Sequence, residues 1–128
     1  MADRYELGDL TLAVSTETTG VVILWLGKSN AQFPEPQLAP YLGSAILRAH
    51  SLRIPLVHDF TQLQFFNSNT ISSILRHFRD VETRGVVLHV RYAQNQRWQR
   101  TFFAALDTVR DSSTRIRLEA VGNEPVAR

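Results

Sequence analysis

No cysteine occurs in the 128 residues, and its absence excludes disulfide staples, thiolate nucleophiles and cysteine-ligated zinc together. Lysine is almost as scarce. Lys28 stands alone against thirteen arginines, and no glycine-rich loop accompanies it, so the usual phosphate cradle of a nucleotide-binding protein is missing. The longest apolar run, residues 21–26, is strand-sized and far short of the ~18–20 residues of a membrane span. Repeats and low-complexity tracts are also lacking. The first residues carry Asp3, Arg4, Glu6 and Asp9 in place of a basic start followed by an apolar stretch, which sets the expectation of a cytoplasmic protein. A net charge of +2 is too slight to imply nucleic acid as a partner.

What is present is ordinary globular chemistry: 44% hydrophobic and 20% charged residues, enough for one domain over 1–128 with loose ends at about 1–8 and 122–128. Leu10, Leu12 and Val14 alternate as in a half-buried strand, and residues 21–26 read as an interior strand across a turn at Thr18, Thr19 and Gly20. Pro34 and Pro36 restart the chain. Leu38, Leu42, Ala45, Ile46 and Ala49 then share one face of a helix over 36–50, with Pro40 placed in its first turn. Residues 54–60 form a short strand. Ile71, Ile74, Leu75, Phe78 and Val81 repeat at helical spacing up to Gly85. A strand at 86–90 follows, then a helix with Trp98, Phe102, Ala105, Leu106 and Val109 on its apolar face, then a strand through Ile116, Leu118 and Ala120.

The order β-β-α-β-α-β-α-β predicts an α/β domain whose mixed, mostly parallel sheet carries three helices on one face. The other face would stay partly open. That openness is compatible with an interaction protein or with a homo-oligomer seam.

The polar corner Asn67, Ser68, Asn69 and Thr70 opens the second helix. Such side chains beside free backbone N–H groups and the positive end of a helix dipole favour an anion. The same residues also suit plain N-capping by Asn67 or Ser68. Asp59, at a strand end, is placed to hydrogen-bond the corner backbone. Other constellations are weaker. His58, His77 and His89 with Asp59 and Ser68 offer the residue types of a hydrolase triad but no Gly-x-Ser-x-Gly elbow. The histidines lack metal-ligand spacing. Arg91, Arg97 and Arg100 interleave with Tyr92 and Trp98 in a manner that serves RNA, an acidic partner or merely a solvated helix edge. Phe103, about 100 degrees around the helix from Phe102, fits either an exposed anchor or core-edge packing.

The element order, the strand ending in Asp59-Phe60, the aromatic pair Phe65-Phe66 and Asn67-Ser68 before a helix resemble the STAS domains of bacterial anti-sigma-factor antagonists. The likeness is closer to the SiaC-type regulatory phosphoproteins. The stretch Val87-Leu88-His89-Val90-Arg91-Tyr92, then Gln94-Asn95-Gln96-Arg97, agrees, and the resemblance covers about residues 54–121. It implies a STAS-like fold, no catalysis, and a phosphorylation switch run by a partner kinase and a PP2C-type phosphatase; no cofactor or metal is expected. The unmodified form would engage an output protein, which in SiaC-type systems is a diguanylate cyclase. Ser68 falls on the acceptor position and Asn67 on the asparagine before it. Asn69 occupies the place of the antagonists' acceptor hydroxyl, and asparagine cannot be phosphorylated. Beside the Asn67, Asn69, Thr70 and Asp59 corner, the outward positions of the second helix, Ser73, Arg76, His77 and Asp80, are then the expected partner-binding residues.

Overall fold

The computed structural model describes residues 2–109 and 116–122. Its elements run β1(Ala2–Leu7), β2(Leu10–Glu17), β3(Gly20–Ser29), α1(Glu35–Leu52), β4(Leu56–Asp59), β5(Leu63–Phe66), α2(Ser68–Thr83), β6(Leu88–Ala93), α3(Arg97–Val109) and β7(Ile116–Val121). The sheet has seven strands in the order β1-β2-β3-β4-β6-β7, with β5 also paired to β3. β1, β2 and β3 form an antiparallel meander, while β3, β4, β6 and β7 are mutually parallel. Each parallel step moves the same way along the sheet, so right-handed crossovers place all three helices on one face. That face is apolar: Leu12, Ile23, Trp25, Leu56, Leu88 and Val90 are buried beneath the helices.

Two strands carry little sequence signal. The N-terminal residues expected to be loose form β1, an edge strand whose charged Asp3, Arg4 and Glu6 are exposed while Tyr5 stacks on Tyr41 of α1 at 4.2 Å. Charged side chains are usual on an edge, where they discourage pairing with another chain. β5 takes over from β4 beside the long strand β3: Val21 to Leu24 pair with β4, and Gly27 to Ser29 pair with β5 across a bulge. Gly27 lies at φ +89, and a Cβ there would collide with the backbone oxygen of Asp9. Only glycine fits this close approach of the β1–β2 turn.

Pro40 lies inside α1, beyond its first turn, where a proline ring costs one backbone hydrogen bond. Of the expected loose end at 122–128, only Gly122 falls within the described residues. The expected stripe of α3 is rotated. Gln99 and Phe103 are its fully buried positions, Trp98, Phe102 and Leu106 flank them, and Ala105 is exposed. Phe103 is therefore a core residue, packed on Phe60 and stacked on Tyr92. The side chain of Val109 lies outside the described residues.

Candidate functional site

β3 and β5 end side by side at Ser29 and Phe66, and the chain turns there into α2. Asn67 is the N-cap. Its backbone N–H donates to the Ser29 carbonyl (2.9 Å), and its Oδ1 accepts from the Thr70 N–H (2.8 Å). The Thr70 hydroxyl touches both Asn67 Oδ1 and Ser29 Oγ, at 2.8 and 2.7 Å. A hydroxyl has one proton. Asn67 Oδ1 and the Ser29 carbonyl, the latter 3.3 Å away, can only accept, so Thr70 gives its proton to the nearer Asn67 Oδ1 and receives the Ser29 proton, which locks a fully buried threonine at the foot of the helix.

The amides of the corner reach the other way. Asn67 Nδ2 donates to the Ala31 carbonyl and Asn69 Nδ2 to the Gln32 carbonyl, each at 2.9 Å. Between these two asparagines Ser68 is exposed, and among the described residues no hydrogen bond holds its hydroxyl. Capping therefore belongs to Asn67, and the Ser68 oxygen is free at the positive end of α2.

The remaining site expectations divide. Asp59 does not reach the corner: its Oδ1 accepts from the N–H and hydroxyl of Thr61 (2.9 and 2.6 Å), and its Oδ2 from Arg91 (3.3 Å). Two hydrogen-bond donors of the next turn lie nearer to it than any group of the corner. Ser73 and His77 are not outward either; both are buried. α2 packs on α1 as well as on the sheet, so its covered arc is wider than one apolar stripe. Ser73 donates to Glu35 Oε1 across that seam (2.6 Å), and His77 turns inward to His58. Arg76 and Asp80 are exposed, with Arg76 in a loose ion pair to Glu35 at 3.7 Å.

No family model matches the sequence, and no curated relative is found. Solved structures do match. A chain from the crystal structure of the diguanylate cyclase SiaD in complex with its activator SiaC, from Pseudomonas aeruginosa, superposes with a TM-score of 0.61 at 16% identity, covering 92% of this chain and 98% of that one. The anti-sigma factor antagonist SpoIIAA in its unphosphorylated form gives 0.52 at 18% identity, over 78% and 98% of the two chains. An uncharacterised protein of the DUF3478 family with a SpoIIAA-like fold, from Shewanella loihica PV-4, gives 0.54 at 13% identity, over 91% and 88%. The fold is STAS-like. At these identities the likeness establishes the architecture alone.

Among the described residues the side chains of the rival constellations lie apart. His58 receives the indole proton of Trp25 on Nδ1 (3.0 Å) and faces His77 through Nε2 (2.7 Å). Neither histidine is bonded to Ser68, and Asp59 is occupied elsewhere, so the triad residues are not brought together. Among the described residues no cluster of three ligating side chains could hold a metal, and no helix is long and apolar enough to cross a membrane. The basic and aromatic group is likewise dispersed. Arg91 sits on the open sheet face between Asp59 and Glu119, Arg100 donates to the Gln94 carbonyl, and Trp98 and Tyr92 pack on Phe66 and Phe103. On the helix-free face Ala13, Val22, Leu24 and Val57 floor a groove of about 690 Å³, rimmed by Glu17, Asp59, His89, Arg91 and Glu119.

Proposed function

We propose that this chain is a non-catalytic regulatory protein whose binding to a protein partner is switched by phosphorylation of Ser68. The observation that carries the reading is the free Ser68 hydroxyl, exposed beside the N-cap of α2 while Asn67 alone supplies the cap. A phosphate there gains from the helix dipole and from the N–H groups of the first turn, by ~0.3–1 kcal/mol for the dipole. It adds about −1.5 to −2 charge to any interface formed over the corner. Excluding a partner a hundredfold requires only ~2.7 kcal/mol. The exposed Arg76 and Asp80 on the adjoining surface of α2 are assigned to the partner contact, with Ser73 and His77 fixing that helix from beneath. Similarity to an anti-sigma factor antagonist and to a cyclase–activator complex supports a partner-switching role. In it a kinase modifies Ser68, a PP2C-type phosphatase resets it, and the output protein is of the diguanylate cyclase kind.

Incubation with the kinase and ATP, followed by peptide mapping, should place phosphate on Ser68. Thr70 is fully buried and its proton is engaged, so it should remain unmodified. Phosphate confined to Ser72 would move the acceptor, and none on the corner would end the reading.

Stability separates the two roles of neighbouring residues. Asn67→Ala should destabilise the fold by about 1–2 kcal/mol, the usual cost of a lost cap, whereas Ser68→Ala should change it by less than about 0.5 kcal/mol. Urea unfolding of the two variants beside wild type provides the check. A Ser68→Ala loss equal to that of Asn67→Ala would mean that Ser68 is a structural cap.

A further inference from the structure

Resting on the reading of Ser68 as the switch, we infer that Phe33, with Phe65 and Lys28, forms the docking surface for an apolar, acid-bearing segment of the protein partner. Phe33 is 72% exposed and Phe65 46% exposed, while most other large apolar side chains are buried or partly covered. Exposed rings on a loose loop would be poor anchors, because binding would have to order them. This loop is not loose. Ser29 and Pro34 are buried at its two ends, and the carbonyls of Ala31 and Gln32 are held by the amides of Asn67 and Asn69. Phe33 is thus presented on a backbone held at two carbonyls by the residues that flank Ser68 and buried at both ends. The clamp also gives Asn69 a task that a serine or threonine, with no side-chain amide long enough to span the same gap, would not perform in the same way.

The charge of the surface selects the partner. Lys28 pairs in register with Phe65 across the two strand ends, is exposed, and forms no ion pair among the described residues. Glu35, which follows the loop, is taken up by Arg76 and Ser73. Asp9 on the β1–β2 turn opposes the Lys28 cation, but the positive end of α2 lies on the Ser68 side. Phe65 in register with an unpaired cation, and Phe33 on the loop that continues from the cation's strand, fit apolar side chains flanked by carboxylates. Phosphate on Ser68 would reverse the local charge and repel the same segment.

Panning a phage-displayed library of random 20-residue peptides against the immobilised full-length protein tests the surface directly, whichever protein supplies the segment. Enriched peptides should be apolar and acidic. Their affinity should fall tenfold or more on Phe33→Ala and severalfold on Lys28→Glu, with circular dichroism unchanged, while Leu47→Ala, 56% exposed on α1, should have no effect. Asn69→Ala should weaken binding and speed amide exchange at residues 31–33, a combination that loss of a mere contact would not give. Failure to enrich peptides, affinity retained on Phe33→Ala, or an equal effect of Leu47→Ala would overturn the inference. So would a Phe33→Ala effect limited to self-association in sedimentation, which would mark the patch as a seam between copies. Phosphoserine installed at position 68 during translation distinguishes the two ideas. Loss of binding to Phe33→Ala but not to the phosphoserine protein would leave the surface standing and remove the switch. The reverse would keep the switch and remove the surface.

Discussion

Gln99→Ala should cost about 3 kcal/mol or more of stability, among the largest losses available from a single polar residue in this chain. The Gln99 side chain is fully buried, yet each of its polar atoms is used. Oε1 accepts from the Ala93 N–H at 2.7 Å, and Nε2 donates to the carbonyls of Phe60 and Leu63 at 2.7 and 3.0 Å. Truncation strips the Ala93 N–H and the Leu63 carbonyl of this partner in a dry interior, at ~1–3 kcal/mol for each group that water cannot reach, while the Phe60 carbonyl keeps the Leu63 N–H at 3.0 Å. Gln99→Leu would keep the volume and lose the same bonds. Gln99→Glu would be worse, since a carboxylate would face two carbonyl oxygens. A fall in the melting temperature of roughly 10 °C or more is expected for Gln99→Ala, measurable by calorimetry. Because those carbonyls bracket the hand-over from β4 to β5, and β5 leads into Asn67, amide exchange at the corner should quicken as well. A Gln99→Leu protein within about 1 kcal/mol of wild type would show that this pin is not needed.

Gln99 also marks where sequence reading stops. Glutamine carries no hydrophobic signal, so periodicity draws the apolar face of α3 through Trp98, Phe102 and Ala105, displaced from its true centre at Gln99 and Phe103. α2 shows the same displacement. Ile74, Phe78 and Val81 are legible as its buried stripe, but Thr70, Ser73 and His77 are buried too, each matched to a partner 19 to 41 residues away in sequence: Ser29, Glu35 and His58. Periodicity treats such residues as solvent-facing, because their partners become visible only when the chain is folded. Elements with long apolar runs or regular stripes, such as β3, α1 and β6, are readable. β5 is not, since four residues with two exposed side chains show no clear alternation. The Asn67-Ser68 corner is legible through its turn chemistry. The loop that the corner holds is not, because a side-chain amide bonded to a carbonyl 36 residues away leaves no local pattern.

Acid should destabilise the protein through the histidine pair beneath α2. Trp25 donates to Nδ1 of His58, which places the His58 proton on Nε2. That proton points at Nε2 of His77, so His77 accepts and carries its own proton on Nδ1. Both rings are neutral in this chain of bonds, and a further proton would be an unsolvated charge. Burial, then repulsion from His77, holds His58 well below its ordinary range, and burial lowers His77 to about 4. His89, half-buried on the open face, shifts the same way through burial and Arg117, opposed by Glu119. Depressed pKa values mean that the unfolded chain takes up protons first. The stabilisation is complete above pH 6.5, the ordinary histidine value, and is lost as pH falls toward 4. His77 alone accounts for ~2 kcal/mol by pH 5 and ~3 kcal/mol by pH 4, and His58 adds in the same direction. Around His77 the small depression between α1 and α2 also holds Glu35, Arg76 and Asp80, so those groups must be kept unchanged in the comparison. His77→Gln retains an acceptor for His58 and removes the titration. Between pH 7.5 and 5.0, the stability measured by urea unfolding should therefore fall by ~2 kcal/mol less in His77→Gln than in wild type. Equal losses would place the acid sensitivity elsewhere. Because α2 carries Ser68 at its first turn, loosening of its seat at low pH should appear at the corner as faster amide exchange before global unfolding.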